Sequence, residues 1–379
     1  MFTYLCSRLS ERARMQEEHA ESLASIREQA RRLLKDQATP EHLKSLLDTP
    51  ASFDRHLWGH AVDQGWPSVA VIEQSGGLGL GWSGLGVLCE ETGRLTASLP
   101  LIGNAVAAHA LQFAKGDWST LIEALANGGK IACLALADPE DSGLATSPSL
   151  LASNGILQGE KALAAFASVA DIALVQAQGE QGNALYLVDL AHPGVTRHTF
   201  NTLDNARAAA VLQFKQVPAT RLGGLDLILD IASLAALACT SEQIGGAQAS
   251  LDLACEYARE RRAFGQQIGS FQGIKHKLAE AYCLLEIAKG CTNDALNAWE
   301  NSLVESRQLS AAARIAATKA YDYIAQEGLH IHGGMGMTWE AMPHHHYRRS
   351  RTLALELGSI HYWRECLLNE IGLETANHG

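Results

Sequence analysis

The sequence predicts a mainly α-helical protein with a β-rich middle domain. Two regions, residues 11–128 and 225–379, contain long runs in which charged and apolar residues recur with helical spacing. Between them, residues 130–224 consist of short, turn-bounded apolar segments that are typical of strands. We therefore predict a helical domain over residues 1–128, a β domain over 129–224 and a helical bundle over the remainder, 225–379.

The N-terminal region is predicted to be helical because its charged and apolar residues are arranged as on an amphipathic helix. The run EEHAESLASIREQARRLLKD is an example. The loop GGLGLG, Gly76 to Gly81, interrupts this region. It lacks the G-x-G-x-x-G order and the βαβ setting of a dinucleotide-binding domain, so it is not interpreted as a Rossmann motif.

The middle region is predicted to form an antiparallel sheet or a small barrel. Its segments IACLALAD, ADIALVQAQ, ALYLVDL and AAVLQFKQVPA are short, bounded by turns, and rich in alternating or continuous apolar residues. From Leu225 onward the helical texture returns, and no further strand is predicted.

Length and composition exclude several classes of protein. The 379 residues are 47% hydrophobic, which is enough to build two or three packed units. A formal net charge of −11 argues against a general nucleic-acid surface. No apolar run approaches the roughly eighteen residues of a membrane helix, and the first residues lack the apolar core of a signal peptide. We therefore expect a cytoplasmic protein that binds neither nucleic acid nor membrane.

The sequence does not predict a metal site. None of the eight cysteines forms a C-x-x-C pair, so neither a zinc site nor a disulfide framework is indicated. His344, His345 and His346 are consecutive, and on a helix they would point about 100° apart, so they could not all face one metal. We predict that these histidines form a polar surface turn.

Two segments of the C-terminal region carry a longer and more specific pattern. The first is CEYARERRAFGQQIGSFQGIKHKLAE, Cys255 to Glu280, and the second is HIHGGMGMTWE, His330 to Glu340. Together they resemble the signature of the acyl-CoA dehydrogenase family, and the resemblance covers nearly the whole chain. It implies an N-terminal helical domain, a middle β domain and a C-terminal four-helix bundle. It also implies FAD as cofactor, an electron-transfer flavoprotein as acceptor, and a site shared between subunits.

The first segment implies contacts with the flavin of a neighbouring subunit. By resemblance Arg261 reaches the pyrophosphate, Phe264 packs nearby, and Gln272 lies further along the same wall. A guanidinium suits a pyrophosphate because it is a cationic, multidentate hydrogen-bond donor. The alternative is a solvated basic patch, in which Arg259 and Arg262 interact favourably with the helix dipole.

The second segment implies a backbone contact with the same flavin. Gly333 and Gly334 lack a Cβ, so their N–H groups can approach a ligand closely. In the family this turn meets the adenine side of the neighbour's flavin, and His330 stands where a glutamine is usual. A glycine pair that simply ends a helix is the alternative.

The catalytic base is sought among carboxylates, because the family removes an α-proton with a glutamate. The usual position, before a glycine, holds Leu357 here, and Glu356 is one residue away, about 100° around a helix. A second family position holds Ala235. Glu242 is therefore the preferred candidate and Glu356 the second choice.

The surroundings of Glu242 support this preference. Its neighbours on the helix are all small and uncharged, and a desolvated carboxylate is a stronger base. The small residues would also leave room for a thioester. Glu242→Gln should then abolish turnover while leaving the flavin and the fold in place. The alternative is a Glu242 that is merely hydrogen-bonded inside a helix bundle.

The middle domain departs from the family pattern on the side that holds a subunit's own flavin. Where the family usually reads T-E-P-G, the chain has Ala137, Asp138, Pro139 and Glu140. Where the family has a tryptophan and a small hydroxylated residue against the flavin ring, this region reads ALAAFASVAD, which ends in Asp171. Its remnants are Phe166 and Ser168, so the remaining expected contacts with the chain's own flavin are Asp138 and Ser168.

The resemblance leaves two main functions open. In the first, the chain oxidises an acyl-CoA to the 2,3-enoyl-CoA, with Glu242 as base and FAD as hydride acceptor, in a homodimer or homotetramer. Glu242 and the segment Thr338 to Glu340 are similar to those of bacterial members that act on bulky acyl groups such as steroid side chains. In the second, the chain is a non-catalytic subunit that completes a homologous partner's flavin site. A flavin oxidase or monooxygenase on the same fold is a third possibility.

Overall fold

The computed structural model describes residues 2–145, 147–339 and 341–372, with the side chains of residues 2–13, 15 and 16 outside the description. The described residues follow the predicted order of helices, strands and helices. The prediction of a mainly helical protein with a central β domain is thereby confirmed.

Six helices form the N-terminal region: α1 (Phe2–Gln37), α2 (Pro40–Leu47), α3 (Arg55–Asp63), α4 (Gly81–Arg94), α5 (Leu101–Phe113) and α6 (Ser119–Ala126). Two of them begin at a side-chain cap. Thr39 accepts a hydrogen bond from the N–H of His42 at the start of α2, and Asp54 accepts one from the N–H of Leu57 at the start of α3. Helix α5 is apolar along most of its length and is buried accordingly.

Eight strands form one sheet: β1 (Ala132–Ala135), β2 (Leu151–Ser153), β3 (Ile156–Ala165), β4 (Ile172–Gly179), β5 (Gly182–Asp189), β6 (Val195–His198), β7 (Ala209–Pro218) and β8 (Thr220–Gly223). Their order is β6-β7-β3-β2-β4-β5-β8, and β1 pairs with β4. The predicted antiparallel sheet is wrong in two places, because both β1 and β2 run parallel to β4. Along the chain β1 and β2 are separated from β4 by the strand β3 and by irregular segments, so no tight turn forces either of them to be antiparallel to β4.

The C-terminal region consists of α7 (Leu225–Glu260), α8 (Gln272–Glu300), α9 (Ser306–His332), α10 (Met342–Leu355) and α11 (Ile360–Glu370). Between α7 and α8 lies a small hairpin of β9 (Arg262–Ala263) and β10 (Gln266–Gln267). The prediction that no strand follows Leu225 is therefore wrong. Strands of two residues are too short to show any periodic pattern.

Helix α7 is the central helix of the protein. By length and composition it could cross a membrane, but 83% of its most apolar 18-residue window is buried inside the protein. A Cβ placed on Gly245 of this helix would lie 1.8 Å from the carbonyl oxygen of Glu90 on α4. The small residues of α7 therefore allow a neighbouring backbone to approach closely.

The three consecutive histidines are not on the surface, and the predicted surface turn is wrong. His344, His345 and His346 lie in the first turns of α10 and are 6%, 4% and 1% exposed. The Nδ1 of His346 lies 3.0 Å from the hydroxyl oxygen of Tyr321 on α9. Among the described residues no group of three or more His, Cys, Asp or Glu side chains could hold a metal ion.

Candidate active site

A buried network of ion pairs lies where the three regions of the chain meet. Its centre is Arg207, which precedes β7 and is 4% exposed. Arg207 donates from Nε to Glu356 Oε2 at 2.6 Å, from Nη2 to Glu356 Oε1 at 2.9 Å, and from Nη1 to Glu242 Oε1 at 3.0 Å. Burial opposes the charge of Arg207, but the Glu242 and Glu356 carboxylates outweigh it and raise the pKa of the guanidinium.

A second buried arginine extends the network from α10. Arg349 Nη1 donates to Glu242 Oε1 at 2.8 Å, and its Nε donates to Asp204 Oδ2 at 2.5 Å. It also donates to the carbonyl oxygens of Thr96 and Ala97, which follow α4. One side chain therefore ties the N-terminal helices, the β domain and the C-terminal helices together.

Glu242 is buried, as the sequence indicated, but two cations hold its carboxylate. Its residue surface is 4% exposed, and its Oε1 accepts hydrogen bonds from both Arg207 and Arg349. The space beside the small residues around it is occupied by neighbouring segments of the chain. A Cβ on Gly246 would lie 2.4 Å from the ring of Tyr321, so the expectation that these small residues leave room for a thioester is wrong.

Glu356 is not on a helix, so the estimate that it points about 100° away from the family position does not apply. It caps α10 with an extended backbone, φ −63° and ψ 133°, and Leu357 follows with φ +61°. The guanidinium of Arg314 fixes this bend by donating to the carbonyl oxygen of Glu356 at 2.6 Å. The Glu356 side chain borders a cavity between the sheet and the helices.

That cavity has a volume of only about 70 Å³. It is lined by β1 and the residue pair after it, by β3, by residues 143–144, by the residues after α10, by two residues of α5 and by one of α7. Arg207 and Phe166 form part of its wall. The guanidinium carbon of Arg207 lies 5.4 Å from the centre of the Phe166 ring. Sites for drug-sized ligands usually measure about 300–1,000 Å³, so this cavity does not fit a flavin ring with an acyl thioester.

Asp138, expected to contact the chain's own flavin, is paired with a lysine instead. Its carboxylate accepts hydrogen bonds from the ammonium of Lys161 and from the N–H of Ser149, both at 2.5 Å. Lys161 is fully buried. Burial alone would raise the pKa of Asp138, but the hydrogen bonds from Lys161 and Ser149 outweigh it and lower the pKa.

Ser168 differs from Asp138, because its hydroxyl has a free hydrogen-bonding capacity. Its Oγ is buried and lacks a hydrogen-bond partner among the described residues, while its carbonyl oxygen accepts from Arg197 at 3.1 Å. A buried hydroxyl without a partner is unfavourable by about 1–3 kcal/mol. The hydroxyl of Ser168 could therefore still pair with a polar atom of a ligand, although Ser168 is not among the residues that line the cavity beside Glu356.

The residues expected to contact a neighbour's flavin lie on the outer surface. Arg261 ends α7, is exposed, and has no ion-pair partner in the described part of the chain. Phe264 is 95% exposed and has a φ of +52°, and Gly265 follows with φ +81°. Two positive φ values are the requirement of a type I′ hairpin turn, which disfavours phenylalanine at its first position. Gln272 begins α8 nearby and is also exposed.

The glycine turn after α9 is equally open. Gly333 adopts φ +59° and ψ −139°, a conformation that only glycine tolerates well. A Cβ on either Gly333 or Gly334 would meet no atom within 4 Å, so both backbones face open space. His330 is exposed, and its Nδ1 lies 3.5 Å from Glu327. Of the segment Thr338 to Glu340, Glu340 lies outside the described residues.

Sequence reasoning missed both arginines of the inner network. Arg207 lies in DNARAAAVLQF, where a charged residue directly precedes an apolar strand, and Arg349 lies in a run of three arginines within RRSR. The signal available in the sequence was the position of these charged residues at the edge of buried segments, which can indicate a buried ion pair. Only the packing of distant segments shows that they meet Glu242 and Glu356.

Comparison with known proteins gives consistent results along the chain. The family models described as acyl-CoA dehydrogenase, N-terminal domain, and acyl-CoA dehydrogenase, C-terminal domain, match residues 20–115 and 223–371. The acyl-CoA dehydrogenase IpdE2 of Mycobacterium tuberculosis (strain ATCC 25618 / H37Rv) is 30% identical over 343 residues, which cover 88% of this chain and 92% of that protein.

Two solved structures are similar over almost their full length. A variant of the Tcur3481-Tcur3483 steroid ACAD has a TM-score of 0.87 at 28% identity, covering 93% of this chain and 98% of that one. The ChsE4-ChsE5 complex from Mycobacterium tuberculosis has a TM-score of 0.86 at 25% identity, covering 94% and 98%.

Proposed function

Because the chain belongs to the acyl-CoA dehydrogenase family of flavoprotein oxidoreductases, we propose that it is a subunit of a heteromeric enzyme of this family and completes the flavin site of a homologous partner. The assembled enzyme would oxidise an acyl-CoA to the 2,3-enoyl-CoA and pass electrons to an electron-transfer flavoprotein. A similar chain comes from a structure titled a steroid ACAD, which favours a bulky acyl group as substrate. We also propose that the protein is located in the cytoplasm.

One contrast carries the proposal. Both candidate bases, Glu242 and Glu356, accept hydrogen bonds from the buried Arg207, and the cavity beside Glu356 is about 70 Å³. The surfaces around Arg261 and around Gly333 are, in contrast, exposed and open. A chain with a closed inner site and an open outer surface is suited to serve a cofactor held by another subunit. The similar ChsE4-ChsE5 complex combines two chains with different names.

On the outer surface each residue has a definite task. Arg261 would neutralise the pyrophosphate, and the exposed backbone of the glycine turn would approach the adenine side without steric hindrance. Phe264 would cover apolar atoms of the cofactor and lose its exposure to water. The flavin, when bound, supplies the acceptor for the hydride.

The test is the flavin content of the chain purified alone and together with a homologous dehydrogenase encoded beside it. We expect a colourless chain alone and a yellow complex. Arg261→Ala in this chain should weaken FAD binding by the complex about tenfold or more, because a charge-assisted hydrogen bond contributes about 1.5–3 kcal/mol. Arg259→Ala, at an exposed neighbouring position, is the matched control and should have little effect.

The opposite result is equally clear. About one flavin per chain in the protein purified alone, bleached without oxygen by an acyl-CoA, would contradict the supporting role. It would establish the second candidate, a dehydrogenase that acts by itself.

The second candidate has one observation in its favour, the position of Glu356. Its carboxylate borders the inner cavity and the larger groove outside it, whereas Glu242 borders neither. In a self-sufficient enzyme we therefore propose Glu356 as the base ahead of Glu242. Loss of turnover in Glu356→Gln with a normal flavin spectrum would support this assignment, and unchanged turnover would remove it.

A further inference from the structure

Two separate cavities meet at a single ion pair. The inner cavity of about 70 Å³ lies between the sheet and the helices, and an outer groove of about 400 Å³ lies between β3 and the end of α10. Four residues line both of them: Leu163, Ala165, Arg207 and Glu356. Arg207 and Glu356 are the charged members of this shared wall, and their two hydrogen bonds connect its two sides.

Arg207 is held firmly in this wall. Three hydrogen bonds to two carboxylates use both Nη atoms and Nε, and the Phe166 ring lies 5.4 Å from the guanidinium carbon. No rotamer change can move the guanidinium without leaving a buried carboxylate with fewer partners, which is costly. The partition is therefore a stable part of the fold.

We propose that Arg207 is the residue that closes this chain's own binding cavity, and that its removal joins the inner cavity to the outer groove as one apolar site. This inference rests on the proposed function, in which the chain's own inner cavity binds neither flavin nor substrate. It extends that function by naming the side chain that closes the cavity. The open site would accept an uncharged apolar molecule. Its outer part has exposed apolar walls, with Leu163 at 47%, Leu203 at 47% and Leu355 at 72%. The charged residues Asp204 and Arg351 also line this part, and each is paired with a charge of opposite sign.

The inner part supports the same choice of ligand. Its lining is largely aliphatic, with Ile102, Leu134 and Leu136 among its residues. Once Arg207 and the charge of Glu356 are removed, no other charged side chain lines the described inner cavity. A ligand that covers this apolar surface removes it from water, which makes binding favourable.

The experiment measures binding of Nile red, a neutral apolar fluorophore, to the full chain and to three variants. Arg207→Ala alone would leave Glu356 without its partner, so the main variant is Arg207→Ala with Glu356→Gln. In this double variant Glu242 keeps Arg349 as a partner. Glu356→Gln alone is the matched control, since it keeps Arg207 in the wall. Arg207→Met is likewise made together with Glu356→Gln; it retains most of the side-chain volume and opens the wall only in part.

We expect the double variant to bind Nile red at least about tenfold more tightly than the Glu356→Gln control, with Arg207→Met between them. Circular dichroism and a cooperative urea transition establish that each protein is folded. Equal binding by the control and by either folded Arg207 variant would overturn the inference. None of these variants changes a residue of the outer surface around Arg261, so this result is independent of the flavin test.

Discussion

The guanidinium of Arg207 and the carboxylate of Glu356 form a two-pronged ion pair, with Nε to Oε2 at 2.6 Å and Nη2 to Oε1 at 2.9 Å. The two residues are 149 positions apart, and their side chains are 4% and 15% exposed. A carboxylate whose oxygens both accept from a cation is a poor acceptor for a substrate's proton, because protonation would break the pair. This single contact therefore joins the β domain to the C-terminal helices and restrains the more accessible candidate base.

Removal of Glu242 is expected to affect stability before it affects chemistry. Glu242→Ala leaves two buried arginines without a shared partner, so the free energy of unfolding should fall by about 3–5 kcal/mol. Urea denaturation followed by circular dichroism measures this change. Glu256→Ala, at an exposed position of the same helix, should stay within about 0.5 kcal/mol of the wild type.

Glu242→Gln distinguishes the structural role of this residue from a catalytic one. If Glu242 is the base, turnover is lost while the free energy of unfolding changes little. If it is a member of the ion-pair network, the amide satisfies the arginines poorly and stability falls even in the absence of substrate. Turnover and urea denaturation measured on the same preparation separate the two outcomes.

The small residues of α7 are expected to tolerate no enlargement. Gly245→Ala places a Cβ 1.8 Å from the carbonyl oxygen of Glu90, so α4 and α7 must move apart. We expect a loss of about 1–3 kcal/mol in the free energy of unfolding. Gly290→Ala on α8, where a Cβ meets no atom within 4 Å, should instead stabilise the chain by about 0.5–1 kcal/mol. A stable Gly245→Ala protein would mean that the two helices are less closely packed than the structure indicates.

We expect Phe264 to lower the folding stability of the isolated chain and to strengthen flavin binding by the complex. A non-glycine residue in the left-handed region is unfavourable by about 1–2 kcal/mol, and asparagine tolerates this region better. Phe264→Asn should therefore raise the melting temperature of the isolated chain and lower the flavin content of the complex. Val304→Asn removes another exposed apolar side chain and should leave the flavin content unchanged. An unaltered flavin content in Phe264→Asn would remove this residue from the cofactor surface.

The buried histidines of α10 predict a loss of stability in acid. Burial, with nearby positive charges, lowers the pKa of His346 from 6.5 to about 3 and that of His345 to about 4. The unfolded chain therefore binds protons between pH 6.5 and 3 that the folded chain does not. Their contribution to stability is complete above pH 6.5 and declines as the pH falls towards 3.

The variant His346→Gln tests this pH dependence. Between pH 6.5 and 4 its free energy of unfolding should fall less steeply than that of the wild type, by up to about 1.4 kcal/mol per pH unit. Loss of the contact with Tyr321 should also lower stability at pH 7 by about 1 kcal/mol. His361→Gln, on an exposed position of α11, should leave the slope unchanged. Identical slopes for His346→Gln and the wild type would contradict the assignment.

Long-range contacts explain where sequence reasoning failed. Glu242 meets Arg207 across 35 positions and Arg349 across 107, and nothing in the local pattern of α7 records either partner. The same holds for His344 to His346, whose polar character indicated the surface, although α9 and α7 pack against α10. Polar residues tend to be solvated, but a hydrogen-bonding partner that folding brings close can take the place of water.

The sequence by itself determined the order of helices, sheet and helices, and the family. It also identified four outer residues as candidates for contact with a flavin: Arg261, Phe264, Gly333 and Gly334. These depend on local periodicity and on contiguous motifs, which are legible along the chain. Only the tertiary structure decided that the inner cavity is closed and that Arg207 holds both candidate bases. That outcome depends on three distant segments meeting in the interior of the protein, where each buried charge must find a partner.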